Sequence, residues 1–441
     1  MRGLGWSGVS YPLTLGLVFL AQVLTAQLLR PGAFGSYSLA FTIYTLAALI
    51  AQAGLPQSLL RRASAALQRG ENAEARHEIV SALIVGSIAG LIAGVLIGSP
   101  LGSWVLENVF PRTAVATVAA LIGVRVILRV VENLLPEAFR TFRMFARVGL
   151  FNGLLMNALF CAVLGAALLT STHVTLDDVM IVSVAVAVIA LVPALISIVR
   201  RLRALDRTRI ALRNPLEMAT WISTLWIAVV VQMDMLVVGA LGNGREIALY
   251  SAAFRLAFVV SLPIIAVNQV VPPFIARWYE AGERSRLQVT LQATGGLALL
   301  GALVVFLPLA LFGTSFLGLL FGSYYRNGYD VLVILAIGQI AQTAAGSSGF
   351  ALLMTGNQRI YAIILAISTP ITFGLDVVGY HVAGIDGVAV ATATMLALQN
   401  IAQVVAVKRT GGFTTVASIK AILVEARSIA LRRRAGPAPP A

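Results

Sequence analysis

Apolar stretches of about 20 residues, each long enough to cross a bilayer, alternate along this chain with short polar turns. They lie at 8–29, 36–60, 79–98, 114–134, 148–169 and 180–199, and again at 216–240, 249–275, 287–312, 331–354, 360–378 and 388–407. The pattern predicts an all-α polytopic membrane protein with about 12 transmembrane helices. Composition agrees with the pattern. Of the 441 residues, 59% are hydrophobic and only 11% charged, whereas soluble domains carry roughly a quarter charged residues.

A short repeat divides the spans into two sets of six. Tyr37-Ser38-Leu39-Ala40-Phe41 opens the second span and Tyr250-Ser251-Ala252-Ala253-Phe254 opens the eighth. The span before each carries a glutamine, Gln22 or Gln232, and each copy closes on proline followed by arginine. Equal placement relative to span, turn and exit loop reads as duplication. Six spans per copy preserve orientation, which predicts two parallel six-helix lobes around a central cavity. The expected divisions are an N-terminal lobe at 1–199, a basic linker at 200–214, a C-terminal lobe at 215–408 and a basic tail at 409–441.

Net charge is +14, and its distribution gives orientation. With the amino terminus inside, the outer loops hold only Arg30, Arg112, Arg245 and Arg326, and Arg125, Arg129 and Arg255 fall inside spans. Every other Lys and Arg lies on the inner side, as loops retained in the cytoplasm require. Both termini are therefore expected in the cytoplasm. The charge is spread over alternate loops without one basic face, which argues against nucleic acid. The linker and tail are basic and amphipathic, suited to anionic lipid headgroups. The first apolar run is long and leads straight into a second, so it is expected to stay as a span and not to be cleaved as a signal peptide.

Little in the chain suits catalysis. Lys408 and Lys420 are the only lysines, and neither sits in a Gly-rich loop as a P-loop requires. His77, His173 and His381 fall in separate loops, so neither a histidine metal site nor a Ser-His-Asp triad has its parts. The lone Cys161 has no disulfide partner. Outer loops are short, which disfavours glycan polymerisation or ligation. No enzyme activity, metal or cofactor is expected, and transport is the default reading.

The informative polar positions are inside the spans. Arg125 and Arg129 sit four residues apart on one helix face, with Glu132 three further along. Arginine at that depth costs on the order of 3 kcal/mol unless it faces a wet or protein-lined interior. The fourth span is therefore expected to line a polar cavity, with two positive charges suited to an anionic cargo. Glu132 can pair with Arg129. Asp234 and Arg255 lie at matching distance from the turn near Gly244, either as a structural ion pair or in coupling. Gln22, Gln57, Asn152, Gln232 and Asn268 are weaker cavity candidates, since polar residues in spans also bind helix to helix. Gly86, Gly90, Gly94 and Gly98 form a small-residue stripe suited to close helix packing. Asp376 and Asp330 are expected at the interface.

Two segments carry a family resemblance. LLRPGAFGSYSLAFTIYTLAALIAQAGLPQSLLRRAS (Leu28 to Ser64) resembles the opening of bacterial polysaccharide biosynthesis proteins of the oligosaccharide flippase kind, within the multidrug/oligosaccharidyl-lipid/polysaccharide exporter superfamily. QMDMLVVGALGNGREIALYSAAFRLA (Gln232 to Ala257) is similar to that family's aspartate, apolar run, turn and Tyr-x-x-Ala-x-Arg, and LLFGSYY (Leu319 to Tyr325) is typical of it. The resemblance implies a transporter flipping undecaprenyl-pyrophosphate-linked oligosaccharide across the bacterial inner membrane by alternating access. Arg125, Arg129 and Arg255 would meet the pyrophosphate, a proton or sodium ion could couple the cycle, and glycan-assembly proteins would be neighbours. Twelve spans instead of the fourteen of peptidoglycan-precursor carriers favour an O-antigen or exopolysaccharide unit. The related multidrug and toxin extrusion family is the alternative, but its cation cargo calls for cavity carboxylates.

Overall fold

The computed structural model describes residues 2–205, 229 and 232–425, and side chains from Ser10 onward. All regular structure among these residues is helical. The chain falls into two compact units, Met1–Leu249 with Leu320–Gly322, and Tyr250–Leu319 with Ser323–Ala441.

In the first unit, α1 (Arg2–Leu28), α2 (Pro31–Gln52), α3 (Leu55–Gln68), α4 (Asn72–Gly98), α5 (Pro100–Val109), α6 (Ala119–Thr141), α7 (Phe145–Gly149), α8 (Leu155–Leu169), α9 (Leu176–Arg203) and α10 (Gln232–Leu241) follow in order. Prolines stand in the first turn of α2, α3 and α5, where a missing amide hydrogen costs nothing. The predicted span at 36–60 is two helices, because Ala53 and Gly54 adopt φ 45° and 77° and end α2. A capping box formed by Thr175 and Asp178 starts α9, satisfying two orphan amides. Most of the predicted span at 216–240, and the linker beyond residue 205, lie outside the described residues.

The core of this unit joins Leu55 and Leu59 of α3, Ile79 of α4, Val130, Leu134 and Phe139 of α6, and Ile198 of α9. The glycine stripe seats α4 on α6. Gly94 of α4 packs on the Gly123 carbonyl, and Gly90 and Gly86 pack on Val130 and Leu134. The opposite face of α4 exposes Ile84, Ile88, Leu91, Ile92, Val95 and Leu96. An apolar face of that extent fits hydrocarbon surroundings, not water.

The second unit takes up α11 (Gly244–Phe258) from Tyr250 onward, then α12 (Leu262–Val270), α13 (Pro272–Glu280), α14 (Arg284–Leu320), α15 (Tyr329–Ala345), α16 (Ser348–Met354) and α17 (Gln358–Gly411). The predicted span at 331–354 is broken at Gly346, whose φ of 69° only glycine adopts readily. The spans predicted at 360–378 and 388–407 form α17, which loses helical geometry at Ala383 and Gly384. Beyond α17, Phe413 and Thr415 are buried. The backbone there is non-helical and tied in by Thr415 Oγ1 donating to the Ala345 carbonyl (2.8 Å), Ala417 N to Ala344 O (2.8 Å) and Ser418 N to Gln292 O (3.1 Å).

Among the described residues, nine helices are long and apolar enough to cross a membrane. The 23-residue α6 is not one of the nine, because Arg125, Arg129 and Glu132 interrupt its apolar run. The protein is thus an all-α, multi-pass membrane protein.

Candidate functional site

α6 is an amphipathic helix inside a membrane protein, and its polar stripe faces inward. Arg125 is fully buried, Glu132 is 11% exposed and Arg129 is 30% exposed. Arg125 Nη1 donates to Glu132 Oε1 at 2.9 Å, and Arg129 Nη1 donates to Glu132 Oε2 at 3.1 Å. Glu132 therefore bridges both arginines, where the sequence suggested a pair with Arg129 alone. The reason is helical geometry, since residues three and seven positions apart share one face. The Arg125 guanidinium also lies 4.9 Å from the centre of the Tyr44 ring, a cation–π distance.

The bridge leaves donors unused. Arg125 Nε and Nη2 and Arg129 Nε have no hydrogen-bond partner among the described residues. Such buried donors each cost about 1–3 kcal/mol when unmet. Each guanidinium thus meets the carboxylate through a single nitrogen, and neither uses its two-pronged edge.

These three side chains line a cavity of about 160 Å³. That is room for about ten waters, taking roughly 15 Å³ of such volume for each. Its walls are built from α1, α2, α6, α8, α9 and the wide turn Leu150–Leu154 between α7 and α8, all within the first unit. Gln22 and Asn152, both expected at a cavity, line it, as does Asn157. Thr14, Tyr37, Tyr44, Asn133 and Ser183 also line it, and sequence reasoning passed them over. Tyr37 and Tyr44 are seven apart, two helical turns, so their shared face was a usable signal.

Backbone irregularity marks the same place. Asn152 (φ −83°, ψ 44°) and Gly153 (φ 97°, ψ −16°) leave helical geometry inside a predicted span. Non-helical backbone at membrane depth is tolerated where it lines a cavity or is buried in protein. Asn157 Nδ2 donates to the freed Gly153 carbonyl at 2.7 Å.

The remaining candidates lie elsewhere. Gln57 is exposed on α3. Gln232 and Asp234 are on α10, where the Asp234 carboxylate accepts from the Met235 amide at 2.7 Å. Arg255 is partly buried on α11 in the second unit. Asn268 of α12 accepts from Ser347 at 2.7 Å, which ties it to the α15–α16 break. Asp376, expected at the interface, is fully buried and accepts from Thr392 Oγ1 at 3.3 Å.

The polysaccharide biosynthesis protein family model matches residues 1–278, every cavity-lining residue included. The chain belongs to that family. Among curated proteins, a probable low-salt glycan biosynthesis flippase of Haloferax volcanii is 25% identical over 169 residues. That alignment spans 38% of this chain and 36% of the relative. Solved structures share the fold at lower identity. The lipid II flippase MurJ in an inward closed conformation superposes with a TM-score of 0.71 at 13% identity, covering 96% of this chain and 91% of that one. An inward-facing multidrug resistance transporter of the multidrug and toxin extrusion family gives 0.69 at 14%, with 96% of each chain covered. A Pyrococcus furiosus transporter, described as having a binding pocket of reversed polarity, gives 0.60 at 14%, covering 92% and 95%. This member of the polysaccharide biosynthesis family therefore carries the fold of that transporter superfamily.

Proposed function

We propose that this protein flips a glycan linked to a lipid pyrophosphate, an O-antigen or exopolysaccharide unit, across the bacterial inner membrane. The observation that carries the reading is the buried Arg125 beside Arg129 on a cavity of mixed lining, with guanidinium donors still unpartnered. Arginine forks match phosphate oxygens in charge and geometry. The glycan theme of the family and of the haloarchaeal relative supports the cargo class. In this reading both termini are cytoplasmic, two lobes at 1–199 and 215–408 alternate access, and Arg255 meets the headgroup from the second lobe. Asp234 serves coupling or ion pairing, anionic lipids hold the basic linker and tail, and a proton or sodium ion drives the cycle.

Cavity charge weighs against drug efflux. The cavity's acidic side chain, Glu132, is held by two arginines and is not open to a cationic drug. The test uses sealed vesicles carrying the full chain, scored for translocation of a fluorescent lipid-linked glycan and for ethidium efflux. Glycan flipping without efflux is expected, falling at least about tenfold in Arg125→Ala, as loss of one partner in a buried charge pair implies. Undiminished flipping by Arg125→Ala removes the assignment, and efflux by the wild type restores the drug reading.

A further inference from the structure

We propose that Glu132 is a built-in competitor of the cargo: its carboxylate holds the two arginines until the diphosphate displaces it, and its return expels the headgroup. The inference rests on the function proposed above and concerns the same cavity. Glu132 offers the arginines what a phosphate would, two anionic oxygens, one to each guanidinium at 2.9 and 3.1 Å. It does so poorly. Each arginine is engaged through one nitrogen, and Arg125 Nε and Nη2 and Arg129 Nε are unmet. A phosphate can take two parallel hydrogen bonds from one fork, so a diphosphate satisfies donors that Glu132 cannot.

The competing group is also placed to move aside. Glu132 is 11% exposed, and the same cavity is lined by Asn133, Gln22 and Asn157, polar groups able to receive a released carboxylate through hydrogen bonds or water. With about ten waters' worth of space, the cavity admits a headgroup while Glu132 swings off the guanidinium pair. Without a competitor, the buried Arg125 and the half-buried Arg129 would hold a diphosphate too firmly for turnover. A ligand already present in the site lowers apparent affinity by the fraction of sites it occupies. Glu132 thus trades affinity for release.

The experiment measures binding of geranylgeranyl diphosphate to the full-length protein in detergent by calorimetry, with inorganic pyrophosphate and geranylgeraniol alongside. Wild type binds the lipid diphosphate and not the alcohol. The pyrophosphate arm separates recognition of phosphates from recognition of lipid. Glu132→Gln keeps the side chain's size without its charge and is expected to bind about tenfold tighter, within the usual range for two coupled ligands. In vesicles it flips lipid-linked glycan with a lower maximal rate and a lower half-saturating concentration, a split that simple loss of structure does not produce. Glu132→Asp retains charge but withdraws the carboxylate by one methylene and is expected to fall between the two, which covers the case in which the amide variant fails to fold. If wild type binds and neither variant binds tighter, Glu132 is only a structural counter-ion and the inference falls alone. If no form binds the diphosphate, the proposed function falls and takes the inference with it.

Discussion

Replacing the four stripe glycines of α4 one at a time by alanine should produce a ranked series of stabilities, because each new methyl meets a different obstacle. At Gly94 an added Cβ sits 2.5 Å from the Gly123 carbonyl oxygen and 2.6 Å from Ile127 Cγ1. Unstrained carbon contacts begin near roughly 3.5 Å, so α4 and α6 must part by about 1 Å, and backbone cannot yield as a side chain can. Overpacking of this kind costs about 1–3 kcal/mol. At Gly90 the nearest atom is Val130 Cγ2 at 3.1 Å, on a stiff β-branched side chain, and the cost is smaller. At Gly86 the obstacle, Leu134 Cδ1 at 2.5 Å, is the end of a leucine that can rotate away. At Gly98 the nearest atom is 3.4 Å off and the change is close to neutral. Gly16, Gly165 and Gly374 have nothing within 4 Å. Alanine there should stabilise by up to about 1 kcal/mol through the unfolded chain and helix propensity. Reversible unfolding in mixed SDS micelles, followed by tryptophan fluorescence, reads these free energies directly. A Gly94→Ala protein as stable as Gly165→Ala would refute the reasoning about how α6, and with it Arg125, is seated.

Three further outcomes follow from local geometry. Gly153→Ala places a side chain at φ 97°, with Thr14 Cγ2 at 3.2 Å and Asn157 Nδ2 at 3.3 Å; a loss of about 1–3 kcal/mol is expected on the same unfolding curve. Gly346→Ala forces a Cβ against the Thr415 backbone at φ 69°, ψ −153°, and the non-helical segment at 413–418 should become protease-sensitive, detectable by limited proteolysis. The Arg69 guanidinium beside Glu71 holds that exposed carboxyl below its usual range. Its small stabilisation is present above the unfolded value of about 4.3 and is lost as pH falls through the lower folded value. Glu71→Gln should therefore lower the melting temperature slightly at pH 7 and not at all in strong acid; a deficit that persists in acid counts against the ion pair as its source.

Helix positions were legible in the sequence because hydrocarbon length and loop charge act on single segments. The breaks were less so. Gly54 and Gly346 end helices inside the predicted spans at 36–60 and 331–354, and at Gly346 the deciding neighbour, the Thr415 backbone, comes from far along the chain. At the site, Arg125, Arg129, Glu132, Gln22 and Asn152 could be picked out because buried charge and amide groups are costly enough to need a reason. Thr14 and Ser183 could not, since hydroxyl side chains sit in membrane helices at little cost. The second guanidinium on Glu132 needed the three-dimensional reach of Arg125 across two turns.

The irregular turn at Leu150–Leu154 sets how α8 faces the cavity. On an unbroken helix turning about 100° per residue, Asn152 and Asn157 would point some 140° apart, yet both reach the same small chamber. The non-helical backbone at Asn152 and Gly153 breaks that phase and brings both onto one wall. Deleting a single residue there would turn α8 about its axis and carry Asn157 and Phe160 off the chamber wall, without altering either arginine.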